Sequence, residues 1–129
     1  MSFVVVVVDA SILIEHLSIG PLEVLRKMFG DVPLFVPPLV VAEVLSGAND
    51  PFERVLMGEL LEEAPAIKTP LAHWIDLGNF RRDLRQKHGL NVSLPDAHVA
   101  QCALELNATL LARDGIFQRI AEHYPLRLA

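Results

Sequence analysis

Residues 4–11 read VVVVVDAS: five valines in succession, Val4 to Val8, running straight into Asp9, with Ser11 two positions on. Branching at Cβ restricts χ1 and suits these residues to a strand. The run is apolar at every position, with none of the alternation of a half-exposed strand. It therefore predicts a strand buried on both faces, as in a parallel sheet covered by helices on each side. In open parallel sheets ligands bind at the carboxyl ends of the strands. A carboxylate at that end belongs to a site rather than to the core.

Working outward from this strand, Ser11 is expected to cap a helix through Ile12, Leu13 and Leu17. Gly20-Pro21 opens a second helix through Leu22, Leu25, Met28 and Phe29, which stops at Gly30. Leu34-Phe35-Val36 reads as a short strand, and Pro37-Pro38 leads into a helix from Leu39 to Leu45 that stops near Gly47. Asn49 to Glu63 is predicted as an amphipathic helix with Phe52, Val55, Leu56 and Leu60 on one side. Pro65 and Pro70 bracket a connection around Ile67, and Leu71 to Lys87 forms a long helix closed by His88-Gly89. Ser93-Leu-Pro-Asp96 has a hydroxyl cap, a first-turn proline and an acid three residues on, and starts a helix to about Leu106. Thr109 to Ala112 is another buried strand, followed by Asp114, a helix over Ile116, Phe117 and Ile120, and a short final strand over Leu126 to Leu128. Alternating strands and helices predict one α/β domain over residues 1–129, a three-layer α/β/α sandwich around a mostly parallel sheet.

The 129 residues suffice for a sizeable core. With 52% hydrophobic residues and a mean hydropathy of +0.38, apolar surface should remain for a second copy or a partner to cover. The residues expected to supply it are Leu17, Ile19, Leu22 and Leu25, with the helix from Asn49 to Glu63. No apolar run approaches the ~20 residues that span a bilayer. The first residues lack the positive charge and cleavage site of a signal peptide, and Cys102, the sole cysteine, excludes an intrachain disulfide and a cysteine-rich zinc cluster. A cytoplasmic location is expected.

Four acids stand at or near strand-linked turns: Asp9, Glu43 in PPLVVAEVLSG, Asp96 in LPDAHVA and Asp114 after TLLAR. Asp96 shares a helical face with Val99, Ala100 and Ala103, and Glu43 shares one with Leu39, Val40 and Ser46. If the four converge, like charges in a cleft must either take up protons or hold a cation. Oxygen-only donors favour a hard ion, Mg²⁺ or Mn²⁺, and such a site supports phosphodiester hydrolysis by metal-activated water. The net charge of −5 argues at first against a nucleic-acid substrate. With these four acids set apart, the remaining chain is within one charge of neutral, and that objection lapses.

The segments VVDASILIEHL, VAEVLSG and LPDAHVAQCALELNATLLARDGIF resemble the ordered motifs of the PIN-domain nucleases, most nearly the small VapC-type toxins of toxin–antitoxin pairs. The resemblance covers essentially the whole chain. It implies that Asp9, Glu43, Asp96 and Asp114 are metal-binding acids, that Ser11 supports the metal site, and that the activity is a Mg²⁺-dependent (or Mn²⁺-dependent) endoribonuclease. It also implies a cognate antitoxin and frequent homodimers. Ala112 departs from the family, which often has Thr or Ser two residues before the last acid.

Arg81, Arg82 and Arg85, with Lys87, cluster late on one helix, and Arg113 precedes Asp114; these are candidate contacts to RNA phosphates or simply a solvated face. His98 lies two residues from Asp96 and points away from that acid's face. Trp74 reads as core or interface, and Cys102 as a packed thiol. A receiver-type phosphoacceptor domain would need adjacent acids after the first strand and a lysine after a late one, but Ala10 follows Asp9 and no lysine follows TLLA. A haloacid-dehalogenase-type phosphatase needs Asp-x-Asp, which Ser11 breaks. An RNA-binding or interaction module with this fold and no activity is the remaining alternative.

Overall fold

The computed structural model describes residues 5–17, 33–48, 50–63 and 67–129. Four strands form one sheet: β1 (Val6–Val8), β2 (Leu34–Phe35), β3 (Thr109–Leu111) and β4 (Arg127–Leu128). Their order is β2-β1-β3-β4, and every pair is parallel. Val6, Val7 and Val8 face Thr109, Leu110 and Leu111 in register, while Val6 and Val7 also pair with Leu34 and Phe35. The valine run is thus the inner strand that its composition predicts, and its three ladder residues are at most 1% exposed.

Six described helices complete the α/β/α sandwich: α1 (Ala10–Leu17), α2 (Pro38–Gly47), α3 (Pro51–Glu63), α4 (Leu71–His88), α5 (Leu94–Glu105) and α6 (Ile116–Ala121). Helix α5 is the hub, packing against β1, β3, α2, α4 and α6. Every residue from Ala97 to Ala103 is buried. The start of α5 is set as the sequence predicts, with Ser93 Oγ accepting the Asp96 N–H at 3.2 Å. Helix α4 ends on Gly89, whose φ of 65° is left-handed and free of Cβ strain only in glycine.

Three local expectations shift. Helix α1 begins at Ala10, one residue before Ser11, and the Asp9 carbonyl accepts the N–H groups of Ile12 and Leu13. Ser11 therefore sits in the first turn and does not cap it. In α3, Met57 and Leu60 are the buried residues, whereas Phe52 and Val55 are 64% and 56% exposed, so apolar surface does remain on this helix. The strands are shorter by a residue or so than the apolar runs that announce them. The expected helix from Gly20 to Gly30, the side chain of Leu17, and Ile19 lie outside the described residues.

Candidate active site

The chain leaves β1 for β2 on one side and returns to β3 on the other, so the strand order reverses between β1 and β3. In doubly wound sheets the crevice beyond such a reversal receives the ligand. Asp9 follows β1 there. Its N–H donates to the Leu111 carbonyl at 3.0 Å, which fastens the end of β1 to the end of β3. Asp114 stands three residues beyond Leu111, and its Oδ1 accepts the Ile116 N–H at 3.1 Å at the entry to α6. Glu43 rides on α2, which leaves β2 through Val36 and Pro37. Asp96 occupies the first turn of α5.

Asp9 is buried and Asp96 half-buried, while Glu43 and Asp114 are exposed. Ser11 Oγ donates to Asp9 Oδ2 at 3.0 Å, which is the supporting contact open to this serine. Burial raises the Asp9 carboxyl above its ordinary value, and the Asp114 charge adds to the rise against hydrogen bonds from Ala10 and Ser11. Glu43 is raised as well, by partial desolvation of its otherwise exposed carboxyl and by the charges of Asp9 and Asp96. Asp96 is raised by burial and by Asp9 and Asp114, against the Ser93 hydrogen bond. Charges from fellow acids thus act on three of the four: Asp114 on Asp9, Asp9 and Asp96 on Glu43, and Asp9 and Asp114 on Asp96. Among the described residues, however, no three of these carboxylates bring their oxygens within 4.8 Å of one another. The Lys87–Asp83 ion pair and the His73–Glu105 contact lie elsewhere. An all-oxygen, anionic set whose members repel one another fits a hard divalent cation, which would stabilise the ionised forms.

Beside the start of α5 a cleft of about 150 Å³ is lined by Arg81, Arg85, Leu90, Asn91, Val92 and Ser93. Arg81 is braced there, its Nε donating to the Val92 carbonyl at 2.8 Å. Of the candidate basic residues, Arg81 and Arg85 meet in this cleft. Arg82 instead donates to Asn79 Oδ1 at 3.0 Å, and Lys87 faces Asp83 at 3.6 Å. Arg113 is exposed beside Asp114.

A second polar cluster lies between α4 and α5. His73 Nε2 meets His98 Nδ1 at 2.9 Å, and His73 Nδ1 meets Glu105 Oε2 at 2.9 Å. Trp74 stacks on the His98 ring at a centroid distance of 4.9 Å. His98 does point away from Asp96. That same direction carries it onto the face that meets α4. The signal available in the sequence was His98 and Cys102 four apart on one helix, a spacing that puts two metal-ligating types on one face.

No curated protein matches the chain. Solved structures do match in fold. VapBC2 from Rickettsia felis, bound to a DNA fragment from its promoter, is 20% identical with a TM-score of 0.77, over 97% of each chain. VapBC-1 from nontypeable Haemophilus influenzae is 22% identical with a TM-score of 0.75, over 97% of this chain and 96% of that one. A toxin–antitoxin complex from Klebsiella pneumoniae is 23% identical with a TM-score of 0.62, over 85% and 87%. The family model of the PIN domain matches residues 6–123, from the first strand to just past the last helix. By that match, on a sheet whose carboxyl ends gather Asp9 and Asp114, the chain belongs to the PIN domain family.

Proposed function

We propose that this chain is a metal-dependent endoribonuclease, the toxin of a VapBC-type pair, with Asp9, Glu43, Asp96 and Asp114 as the acids that hold Mg²⁺ or Mn²⁺. The observation that carries the reading is mutual: Asp9, Glu43 and Asp96 are each raised in part by the charges of their fellow acids, so four carboxylates from four chain segments share one field. When bound, the cation supplies a water ionised at neutral pH and a counter-charge for the phosphate. The protein's own part is positional. Ser11 orients the Asp9 carboxylate, Ser93 fixes the first turn that carries Asp96, and the Asp114 side chain is steadied by the Ile116 N–H. Arg81 and Arg85 in the adjoining cleft hold a neighbouring phosphate of the RNA strand.

The partner reading draws on the VapBC and toxin–antitoxin complexes with the same fold. Exposed Phe52 and Val55 on α3, with Ile14 on α1, offer apolar surface for an antitoxin helix or a second copy. Among the described residues no helix is long and apolar enough to cross a membrane. The deciding experiment incubates purified protein with defined RNA, with Mg²⁺ or Mn²⁺ and with chelator. Cleavage that needs the metal and disappears in Asp9→Asn supports the reading, and metal-independent cleavage, or none by folded protein, refutes it. Toxicity on expression, relieved by the product of an adjacent gene, tests the toxin assignment separately.

A further inference from the structure

The polar cluster between α4 and α5 has no part in the carboxylate site, and its chemistry is different. His73, His98 and Cys102 each offer one donor atom, and these atoms lie within 4.8 Å of one another. All three residues are buried. Cys102 Sγ lies 4.0 Å from His98 Nδ1 and 3.8 Å from His98 Nε2, because four residues of helix put both side chains on one face. His73 reaches the same point from α4. We propose that His73, His98 and Cys102 form a second metal site, selective for a borderline ion of the Zn²⁺ class and separate from the carboxylates.

The surroundings of the three donors have the form that such a site requires. A metal-ligating histidine commonly gives its other ring N–H to a carboxylate, which fixes the tautomer and strengthens the ligand. His73 Nδ1 meets Glu105 Oε2 at 2.9 Å, and Glu105 Oε1 in turn accepts from Gln101 Nε2 at 2.8 Å. Burial opposes the charge on Glu105, yet the hydrogen bonds from Gln101 and His73 hold its carboxyl below the ordinary range, so it stays ionised. His98 Nε2 accepts the Leu39 N–H at 3.4 Å, so without metal the ring proton sits on Nδ1 and points at His73 Nε2. The cluster is also incompletely satisfied. Gln101 Oε1 is the one buried side-chain polar atom without a partner among the described residues.

Two imidazoles and a thiolate discriminate against Mg²⁺ and favour Zn²⁺. Three protein ligands leave one tetrahedral position for water or another small donor. On binding, the proton between His73 Nε2 and His98 Nδ1 moves to His98 Nε2, which gives up the Leu39 N–H; two metal–nitrogen bonds replace the hydrogen bond, and the Cys102 thiol releases its proton to solvent. A metal-bound thiol is deprotonated by the charge of the cation beside it.

Co²⁺ is the spectroscopic probe, titrated into the full chain with excess Mg²⁺ present to occupy the carboxylates. Cys102 is the only cysteine, so a thiolate-to-cobalt charge-transfer band has one source. The expected result is a band that saturates at a single equivalent, is erased by one equivalent of Zn²⁺, and is missing in Cys102→Ala. Glu105→Gln, at a carboxylate on the edge of the cluster whose side chain is 43% exposed, should keep the fold and lower Co²⁺ affinity about 10–100-fold. Folded wild-type protein that shows no such band with millimolar Co²⁺ overturns the proposal. So does a band whose affinity is the same in wild type and Glu105→Gln, an outcome that can be read even if Cys102→Ala fails to fold.

Discussion

Replacing Asp9 by asparagine should stabilise the metal-free protein and remove its response to metal. The side chain is 7% exposed, receives the Ser11 hydroxyl at 3.0 Å and lies in the field of Asp114. Its folded pKa is raised above 3.8. Between 3.8 and that higher value the folded chain keeps a proton that the unfolded chain has lost, so stability falls as pH rises through the window and stays lower at pH 7. Asparagine keeps the acceptor for Ser11 and has no charge to repel Asp114. In chelator at pH 7, Asp9→Asn should therefore melt above wild type. Metal should act unequally on the two proteins. A ligand at a hundredfold excess over its Kd stabilises the folded state by about 2.7 kcal/mol. For a chain of this size that is a rise of roughly 10 °C in Tm. Wild type should show this rise with Mg²⁺ or Mn²⁺, and Asp9→Asn little of it. Thermal unfolding followed by circular dichroism, with and without metal, is the assay. An equal metal-induced rise in both proteins, or a chelated Asp9→Asn that melts below wild type, would refute the reasoning.

Glu43→Gln and Asp96→Asn should each lose most RNA cleavage with unchanged far-ultraviolet dichroism; a quantitative gel assay checks this. Since Asp9, Glu43 and Asp96 are all raised, metal affinity should begin to fall at a pH above the ordinary carboxyl range as the solution is acidified, which titration calorimetry at several pH values measures. Ser93→Ala removes the acceptor for the Asp96 N–H and should cost about 1 kcal/mol in urea unfolding. In chelator, His98 is lowered from 6.5 to about 4, so the unfolded chain binds the extra proton in that interval and His98 makes stability fall as pH drops from 6.5 towards 4. Comparing the pH dependence of wild type and His98→Gln isolates that contribution.

The sheet was legible in the sequence because a run of β-branched residues bounded by a carboxylate has few other solutions. The Ser93 cap was legible for a similar reason, since its partner is three residues away. Ser11 was harder. A serine two residues past a strand is a plausible cap, but Asp9 is anchored to Leu111 by its backbone, and this lets the helix start one residue sooner. The amphipathic assignment of α3 held at Leu56 and Leu60, which lie on the core, and failed at Phe52 and Val55, which are exposed, while Met57 supplies the buried contact in their place. Glu43 shares a helical face with Leu39 and Val40 in the sequence yet is exposed, since Val40 and Val44 are the residues that α2 buries. The histidine cluster was least visible. His73 and His98 are 25 residues apart and on different helices, so their 2.9 Å contact exists only once α4 lies against α5.

The bond from the Asp9 N–H to the Leu111 carbonyl has a consequence for divergence. It is made by main-chain atoms, so it carries no demand on which side chains occupy either strand. Substitutions along β1 and β3 can exchange one aliphatic residue for another while the end of β1 stays moored at the same height above the sheet. A position held by the peptide backbone tolerates drift that one held by side-chain packing would not. That is a physical basis for a fold shared at a TM-score of 0.77 with only 20% of residues in common.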